Sequence, residues 1–102
     1  MTKDVRLSGP TLTVLRYLMG DVRRARSGAE IHLATKVGSG TLYPMLLRLE
    51  DAGWLSSEWE NIEPSREGRP RRRYYTITGV GQVRAQEALA PLQWGGSPAW
   101  QA

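Results

Sequence analysis

Five arginines within eight consecutive residues are the side chains of this sequence best suited to bind a polyanion. The segment 66–73 contains these five bases and one acid, whereas the chain of 102 residues has fourteen Lys and Arg, ten Asp and Glu, and a net charge of +4. Outside the segment nine bases balance nine acids, so the whole net charge lies in it. Because guanidinium groups bind phosphates through a planar fork of donors, the pattern indicates that one loop contacts a polyanion.

Groups for catalysis or metal binding are scarce. The chain has one histidine, His32, and no cysteine, so neither a His-based triad nor a zinc site is expected. No glycine-rich phosphate loop follows a strand. We therefore expect no enzyme, no metal and no cofactor. His32 is interpreted as a surface or hydrogen-bonded histidine, and Glu58, Glu60 and Glu63 as a solvated acidic face.

The composition is that of an ordinary globular domain. Hydrophobic residues make up 40% and charged residues 24% of the chain. No apolar run approaches the roughly 20 residues of a membrane helix, and the N-terminal residues are too polar for a secretory signal. The expectation is one cytoplasmic domain without a membrane partner.

The first half of the chain predicts a helix followed by a helix-turn-helix. A helix should start at Pro10 and bury a stripe of Leu12, Val14, Leu15, Leu18, Met19 and Val22. A polar connection with Arg23, Arg24 and Arg26 follows. We interpret these arginines as solvated loop residues in preference to contacts with a nucleic-acid backbone.

A capping box, Ser27 to Glu30, begins a second helix of about eleven residues that should end at Gly38 and bury Ile31, Ala34 and Val37. A third helix over 39–52 should bury Leu42, Met45, Leu46 and Leu49, with Pro44 tolerated near its first turn.

The second half predicts a hairpin and a last helix. Residues 55–60 and 71–77 alternate as strands around a long loop at 61–70. Thr78 should cap a helix that ends at Pro91 or within 94–98 and has the apolar positions Val80, Val83, Ala88, Leu89 and Leu92. The fold class is mainly α with a small β-hairpin, a winged helix-turn-helix over 1–78, with a C-terminal dimerisation helix at 79–94 and a flexible tail at 95–102.

Several motifs resemble the PadR family of bacterial transcriptional regulators. They are Thr41-Leu42-Tyr43-Pro44, Arg48-Leu49-Glu50, Ala52-Gly53-Trp54-Leu55 and the run from Gly68 to Tyr75. The resemblance spans about residues 7–92 and implies a homodimeric winged helix, generally a repressor, often released by a small ligand. Ser27 replaces a tyrosine common in the family. The short C-terminal helix resembles the compact branch, which implies a modest dimer interface built partly from the first helix.

The third helix and its preceding turn supply the first group of candidate DNA-binding residues. The N-terminal end of a recognition helix normally enters the major groove, where small hydroxyls and a phenol reach bases or phosphates. Two alternatives stay open, namely that Ser39 only caps the helix and that Tyr43 only packs. Arg48 is interpreted as a partner of Glu30 or Glu50. The candidates are Lys36, Ser39, Gly40, Thr41 and Tyr43.

The wing supplies the second group, Arg69, Arg71 and Arg72. If Leu55 lies opposite Ile77, Arg72 falls opposite Glu60 and can form a cross-strand salt bridge instead. In the same register Arg73 falls opposite Trp59 and can stack on it rather than reach DNA.

Together these features predict a homodimeric regulator of transcription, a repressor, on an inverted-repeat DNA operator. A small hydrophobic or aromatic effector is a further expectation, with Trp94 as a ligand-binding candidate, while Trp94 and Trp100 are alternatively interpreted as packing at a dimer seam. A protein-binding winged helix and a non-specific nucleic-acid-binding factor remain as alternative functions.

Overall fold

The computed structural model describes residues 5–95, with side chains through residue 90. This part of the chain folds into a winged helix with a three-stranded antiparallel sheet. Its elements in chain order are α1 (Gly9–Met19), β1 (Arg26–Ser27), α2 (Gly28–Thr35), α3 (Ser39–Asp51), β2 (Leu55–Trp59), α4 (Pro64–Glu67), β3 (Arg73–Ile77) and α5 (Gly79–Gly95).

Helix α1 begins at a serine cap and supplies one side of the core. The Ser8 hydroxyl accepts a hydrogen bond from the Thr11 backbone N–H at 3.4 Å, and Pro10 occupies the first turn. The predicted apolar stripe is shifted, because Leu12, Met19 and Val22 are only partly buried. The residues that face the core are Thr11, Val14, Leu15 and Leu18.

Helix α2 has the predicted capping box but is shorter than predicted. The Ser27 hydroxyl accepts from the Glu30 N–H, and the Glu30 carboxylate accepts from the Ser27 N–H, both at 3.1 Å. The predicted end at Gly38 is wrong, since the helix stops at Thr35 and Lys36 adopts a left-handed conformation with φ of 63°. Ala34 is exposed, which contradicts its predicted burial, and Gly38 serves as the N-cap of α3.

Helix α3 buries its four predicted apolar residues, Leu42, Met45, Leu46 and Leu49. Pro44, predicted to lie in or beside the first turn, is the sixth residue of this helix. It has no backbone N–H to donate to Gly40, so that carbonyl lacks its usual intrahelical partner.

The sheet confirms the predicted register and adds a strand. Leu55 pairs with Ile77 and Trp59 with Arg73, and β3 lies between β1 and β2. The two-residue strand β1 was not predicted, because it is too short to show alternation and was interpreted as part of a loop. The wing loop also differs, since 64–67 form one helical turn that ends at Gly68 with φ of 68°.

Helix α5 starts at the predicted cap. The Thr78 hydroxyl accepts from the Gly81 N–H at 3.0 Å. Ala85 and Leu89 enter the core, whereas Val80 and Val83, two of the predicted apolar positions, are 57% and 55% exposed. The helix continues past Pro91 to Gly95. Within 5–95, none of the helices has the length and apolarity needed to cross a membrane.

Candidate nucleic-acid interface

The N-terminal end of α3 presents small exposed residues. Gly38 is the N-cap and no side chain caps the helix, so the interpretation of Ser39 as a cap is wrong. Ser39, Gly40 and Thr41 are exposed, and a methyl group added at Gly40 would meet nothing within 4 Å. Because these side chains are small, another backbone can approach this end of the helix closely.

Tyr43 stands over the first residue of α2. A Cβ atom added at Gly28 would lie 2.5 Å from the ring of Tyr43, so the two residues pack without room for a side chain on Gly28. Tyr43 nevertheless remains 46% exposed. Tyr43 therefore packs on Gly28, as one of the two interpretations proposed, but part of it stays accessible to a partner.

A groove joins α3 to the wing. Its volume is about 360 Å³, and Tyr43 from α3 and Arg71 and Arg72 from the wing share its surface. The start of α2 and the two long strands complete it, so that the whole lining is Ser27, Gly28, Ala29, Tyr43, Trp59, Arg71, Arg72, Arg73 and Tyr75. The groove thus brings together Tyr43 of the first candidate group and Arg71 and Arg72 of the second. The other candidates do not line it, namely Lys36, Ser39, Gly40, Thr41 and Arg69.

Arg71 and Arg72 are the exposed bases of this groove. The Arg71 Nε donates to the Ile62 carbonyl across the wing loop at 3.0 Å, which fixes the stem of the side chain. Arg72 pairs with Glu60 through its backbone, with Glu60 N–H donating to the Arg72 carbonyl at 2.7 Å. The side chain of Arg71 and the backbone of Arg72 are therefore held in place, and both side chains remain exposed.

Arg69, the third DNA-binding candidate of the wing, is engaged by a carboxylate of the same hairpin. Its two terminal nitrogens donate to the two carboxylate oxygens of Glu60 at 2.7 and 2.9 Å. Chiefly through this hydrogen-bonded pair, the pKa of Glu60 falls from 4.5 to about 2. Glu60 thus links the β2 end of the hairpin to the wing loop, and its interpretation as part of a solvated acidic face is wrong. Its salt bridge is to Arg69 and not, as the strand register had suggested, to Arg72.

Arg73 is engaged inside the fold. Its guanidinium carbon lies 4.9 Å from the centroid of the Trp59 ring, which confirms the predicted stack. Nε donates to the Ser57 hydroxyl at 2.8 Å, and a terminal nitrogen lies 3.4 Å from the Glu50 carboxylate at the end of α3. This contact ties the recognition helix to the wing. Beside it, burial raises the pKa of Tyr75.

The remaining basic residues have separate roles. Lys36 is exposed in the turn before α3. Arg26 is buried, contrary to its interpretation as a loop residue, and stacks 4.5 Å from the centroid of the Tyr17 ring. Arg24 forms a 2.7 Å ion pair with Glu30. Glu30 and Glu50 were the carboxylates proposed as partners of Arg48. Glu30 instead pairs with Arg24, and Glu50 pairs with Arg73.

His32 is held by the turn, since its Nδ1 lies 2.7 Å from the Val37 carbonyl. In the described residues no cluster of His, Cys, Asp and Glu is arranged to hold a metal ion. The Trp94 side chain and all of Trp100 lie outside the described part, so their assignments to a ligand or a dimer seam stay predictions.

Sequence reasoning missed the residues that hold the interface together. The capping box marked Gly28 as the first residue of a helix. Nothing in the sequence indicated that Tyr43 would pack on it. The partners Glu50 and Ser57 are seven residues apart and lie beside Arg73 only because β2 returns along α3.

Three helices that include a helix-turn-helix, followed by a hairpin with an arginine-bearing loop, define a winged-helix regulator of transcription. The model of the transcriptional regulator PadR-like family matches residues 25–87, and the chain belongs to this family. Its members are transcription factors and not enzymes. No curated protein sequence matches the chain.

Solved structures share the fold over most of the chain. A PadR-like transcription factor from Bacteroides fragilis is 28% identical with a TM-score of 0.67, and the match covers 81% of this chain and 79% of that one. A PadR family regulator from Eggerthella lenta is 27% identical with a TM-score of 0.64, over 84% and 75% of the two chains.

A structure of reduced AbfR bound to DNA is 26% identical with a TM-score of 0.66, over 90% of this chain and 60% of that one; AbfR comes from Staphylococcus epidermidis. The chain spans about three-fifths of the length of the AbfR chains that it matches.

Proposed function

We propose that the protein is a homodimeric, sequence-specific double-stranded DNA-binding repressor. The observation that carries the proposal is the shared groove, in which exposed Arg71 and Arg72 face the same side as Tyr43 of α3. Cationic side chains beside a helix with a free N-terminal end suit a duplex, which presents a groove between two rows of phosphates. The similarity to a structure of AbfR bound to DNA supports the same function.

In this proposal α3 enters the major groove and the wing follows the adjacent backbone. Ser39, Gly40 and Thr41 make the close approach, and Tyr43 donates to a phosphate oxygen. Lys36 contacts a phosphate from the turn. Arg71 and Arg72 bind the backbone or a narrow minor groove. Arg69 reaches DNA only by giving up Glu60, so we assign it mainly to the shape of the wing.

The dimer is proposed to form through α5 with help from α1. Val80 and Val83 are exposed on the face of α5 opposite the core residues Ala85 and Leu89, which leaves apolar surface for a second copy. Two-fold symmetry then presents two α3 helices to an inverted repeat with half-sites about one helical turn apart.

A bound dimer that covers a promoter would repress transcription. We further propose that a small hydrophobic or aromatic ligand releases the dimer from DNA. A cavity of about 530 Å³ between α1 and α5 supports this proposal, since Met19, Leu89 and Ala90 line it together with Arg16, Gly20 and Gln86. A ligand here would act on the same two helices that we propose for the dimer.

Selection of bound duplexes from a random pool tests the proposal. The expected result is a palindromic consensus, protected symmetrically in footprinting, on which addition of the protein blocks transcription in vitro. Binding without sequence preference would indicate a non-specific factor, and no retention on duplex DNA at low salt would favour a protein-binding module. Either result would contradict the proposal.

A further inference from the structure

The face of α3 that points away from the core is apolar from Gly40 to Leu47, and Asp51 follows on the same side one turn later. Leu47 is 68% exposed, and Pro44 and Gly40 precede it on the same side of the helix at spacings of three and four residues. These residues lie opposite the buried Leu42, Met45 and Leu49. Leu47 therefore presents most of its surface to solvent.

The neighbourhood of this face favours DNA as its occupant. Tyr43 lies on the wing side of the same helix, next to the groove that contains Arg71 and Arg72. Thr41 and Arg48 flank the face on its other side and are exposed. A duplex held by these polar and basic flanks would have its base edges against the apolar face between them.

We propose that Pro44 and Leu47 read thymine C5-methyl groups in the major groove. Among the features that base pairs expose there, the thymine methyl is the one that an apolar side chain recognises. Three residues of helix rise by about 4.5 Å, close to one base-pair step, so the two side chains can lie over neighbouring pairs. Gly40 adds no side chain that would keep the helix away.

The inference rests on the proposed DNA binding and adds the chemistry of its specificity. Residues that make strong bidentate contacts to bases are poorly represented on α3, since 39–51 contain no Asn, Gln or Lys and Arg48 is their one Arg. Discrimination between sequences would then depend on methyl groups and close contact more than on hydrogen bonds.

Replacement of thymine by deoxyuridine tests this inference, because it removes the methyl group and leaves base pairing intact. In the selected duplex each thymine is replaced in turn, and affinity is measured for the wild type and for Leu47→Ala. For the wild type, one or two positions per half-site should lose about fourfold in affinity for each methyl removed. In Leu47→Ala the thymine and uracil duplexes should bind nearly equally at the position that Leu47 contacts.

Leu33→Ala is the matched control, since Leu33 is a similarly exposed leucine, at 66%, but lies on α2. This variant should keep the fourfold preference for thymine. Indifference of the wild type to every replacement would overturn the inference while leaving specific DNA binding intact, as would a preference that persists in Leu47→Ala. If no duplex is selected at all, the proposed function fails and the inference fails with it.

Discussion

Tyr43 of the recognition helix lies on Gly28, the first residue of the helix before it, at a distance that admits no side chain on Gly28. The contact sets how far α3 stands from the start of α2. It also directs the exposed edge of Tyr43 toward the groove that Arg71 and Arg72 line. The position of a proposed DNA contact is thus determined by a glycine on another helix.

Gly28→Ala should push the half-exposed Tyr43 ring aside, at a cost of no more than about 1 kcal/mol, because the end of a side chain can move where a backbone atom cannot. The measurement is urea unfolding of the single variants and of the double variant Gly28→Ala with Tyr43→Ala. In the double variant the ring is gone, and the added cost of Gly28→Ala should largely disappear. Equal costs of Gly28→Ala with and without the Tyr43 ring would contradict this packing.

Local signals predicted the elements that depend on neighbours in sequence. The capping box from Ser27, the four buried positions of α3 and the pairing of Leu55 with Ile77 are confirmed, because periodicity and caps act over a few residues. The end of α2 was placed wrongly because the chain uses Lys36 rather than a glycine for the left-handed position. No composition rule identifies such a residue in advance.

Contacts between distant residues were harder to predict. Charge counting placed the whole net charge in 66–73, but Glu60 engages Arg69, and Glu50 engages Arg73. The stack of Arg73 on Trp59 followed from strand register, whereas the contact with Glu50 required knowledge of how β2 packs beside α3. Burial of Arg26 was missed for the same reason, since Tyr17 lies on another element.

Two substitutions of Lys36 distinguish the effect of its strained backbone on stability from the effect of its charge on DNA binding. Its φ of 63° costs an L-residue about 1–2 kcal/mol relative to glycine, so Lys36→Gly should raise the free energy of unfolding by about 1 kcal/mol. Lys36→Ala keeps the strain and should leave stability near that of the wild type. Both variants lose the same charge, so both should lower the slope of log affinity against log salt by about 0.9 per protomer. A difference between their slopes would argue against a simple phosphate contact.

The Arg69–Glu60 pair should persist at all but very acid pH. Because Arg69 lowers the pKa of Glu60 from 4.5 to about 2, the stability from this pair is complete above pH about 4.5 and is lost as the pH falls toward about 2. An NMR titration of the Glu60 carboxyl group measures this pKa directly. In Arg69→Gln the pKa should return toward 4.5. Titration of the wild-type carboxyl near 4.5 would show that the pair does not form in solution.

Gly81 marks the closest approach of α5 to the turn before β2. A Cβ atom there would overlap the Trp54 carbonyl and lie 2.8 Å from Cγ1 of Ile77. Since a backbone carbonyl cannot move aside easily, Gly81→Ala should cost about 3 kcal/mol in urea unfolding. Gly79→Ala is the control, because nothing lies within 4 Å of its added methyl group, and it should change stability by less than about 0.5 kcal/mol. Similar costs for the two variants would contradict the close approach.

The central claim is that α3 and the wing bind one duplex together, and the salt dependence of the double variant Arg71→Ala with Arg72→Ala tests it most directly. On the selected duplex, the slope of log affinity against log salt should decrease by about 0.9 for each phosphate contact that is lost. Two arginines on each of two wings correspond to a decrease of about 3.6. Arg23→Ala removes an exposed arginine of the loop after α1, which lies outside both the groove and the proposed dimer face, and should leave slope and affinity unchanged. Unchanged affinity and slope in the wing variant would contradict the account.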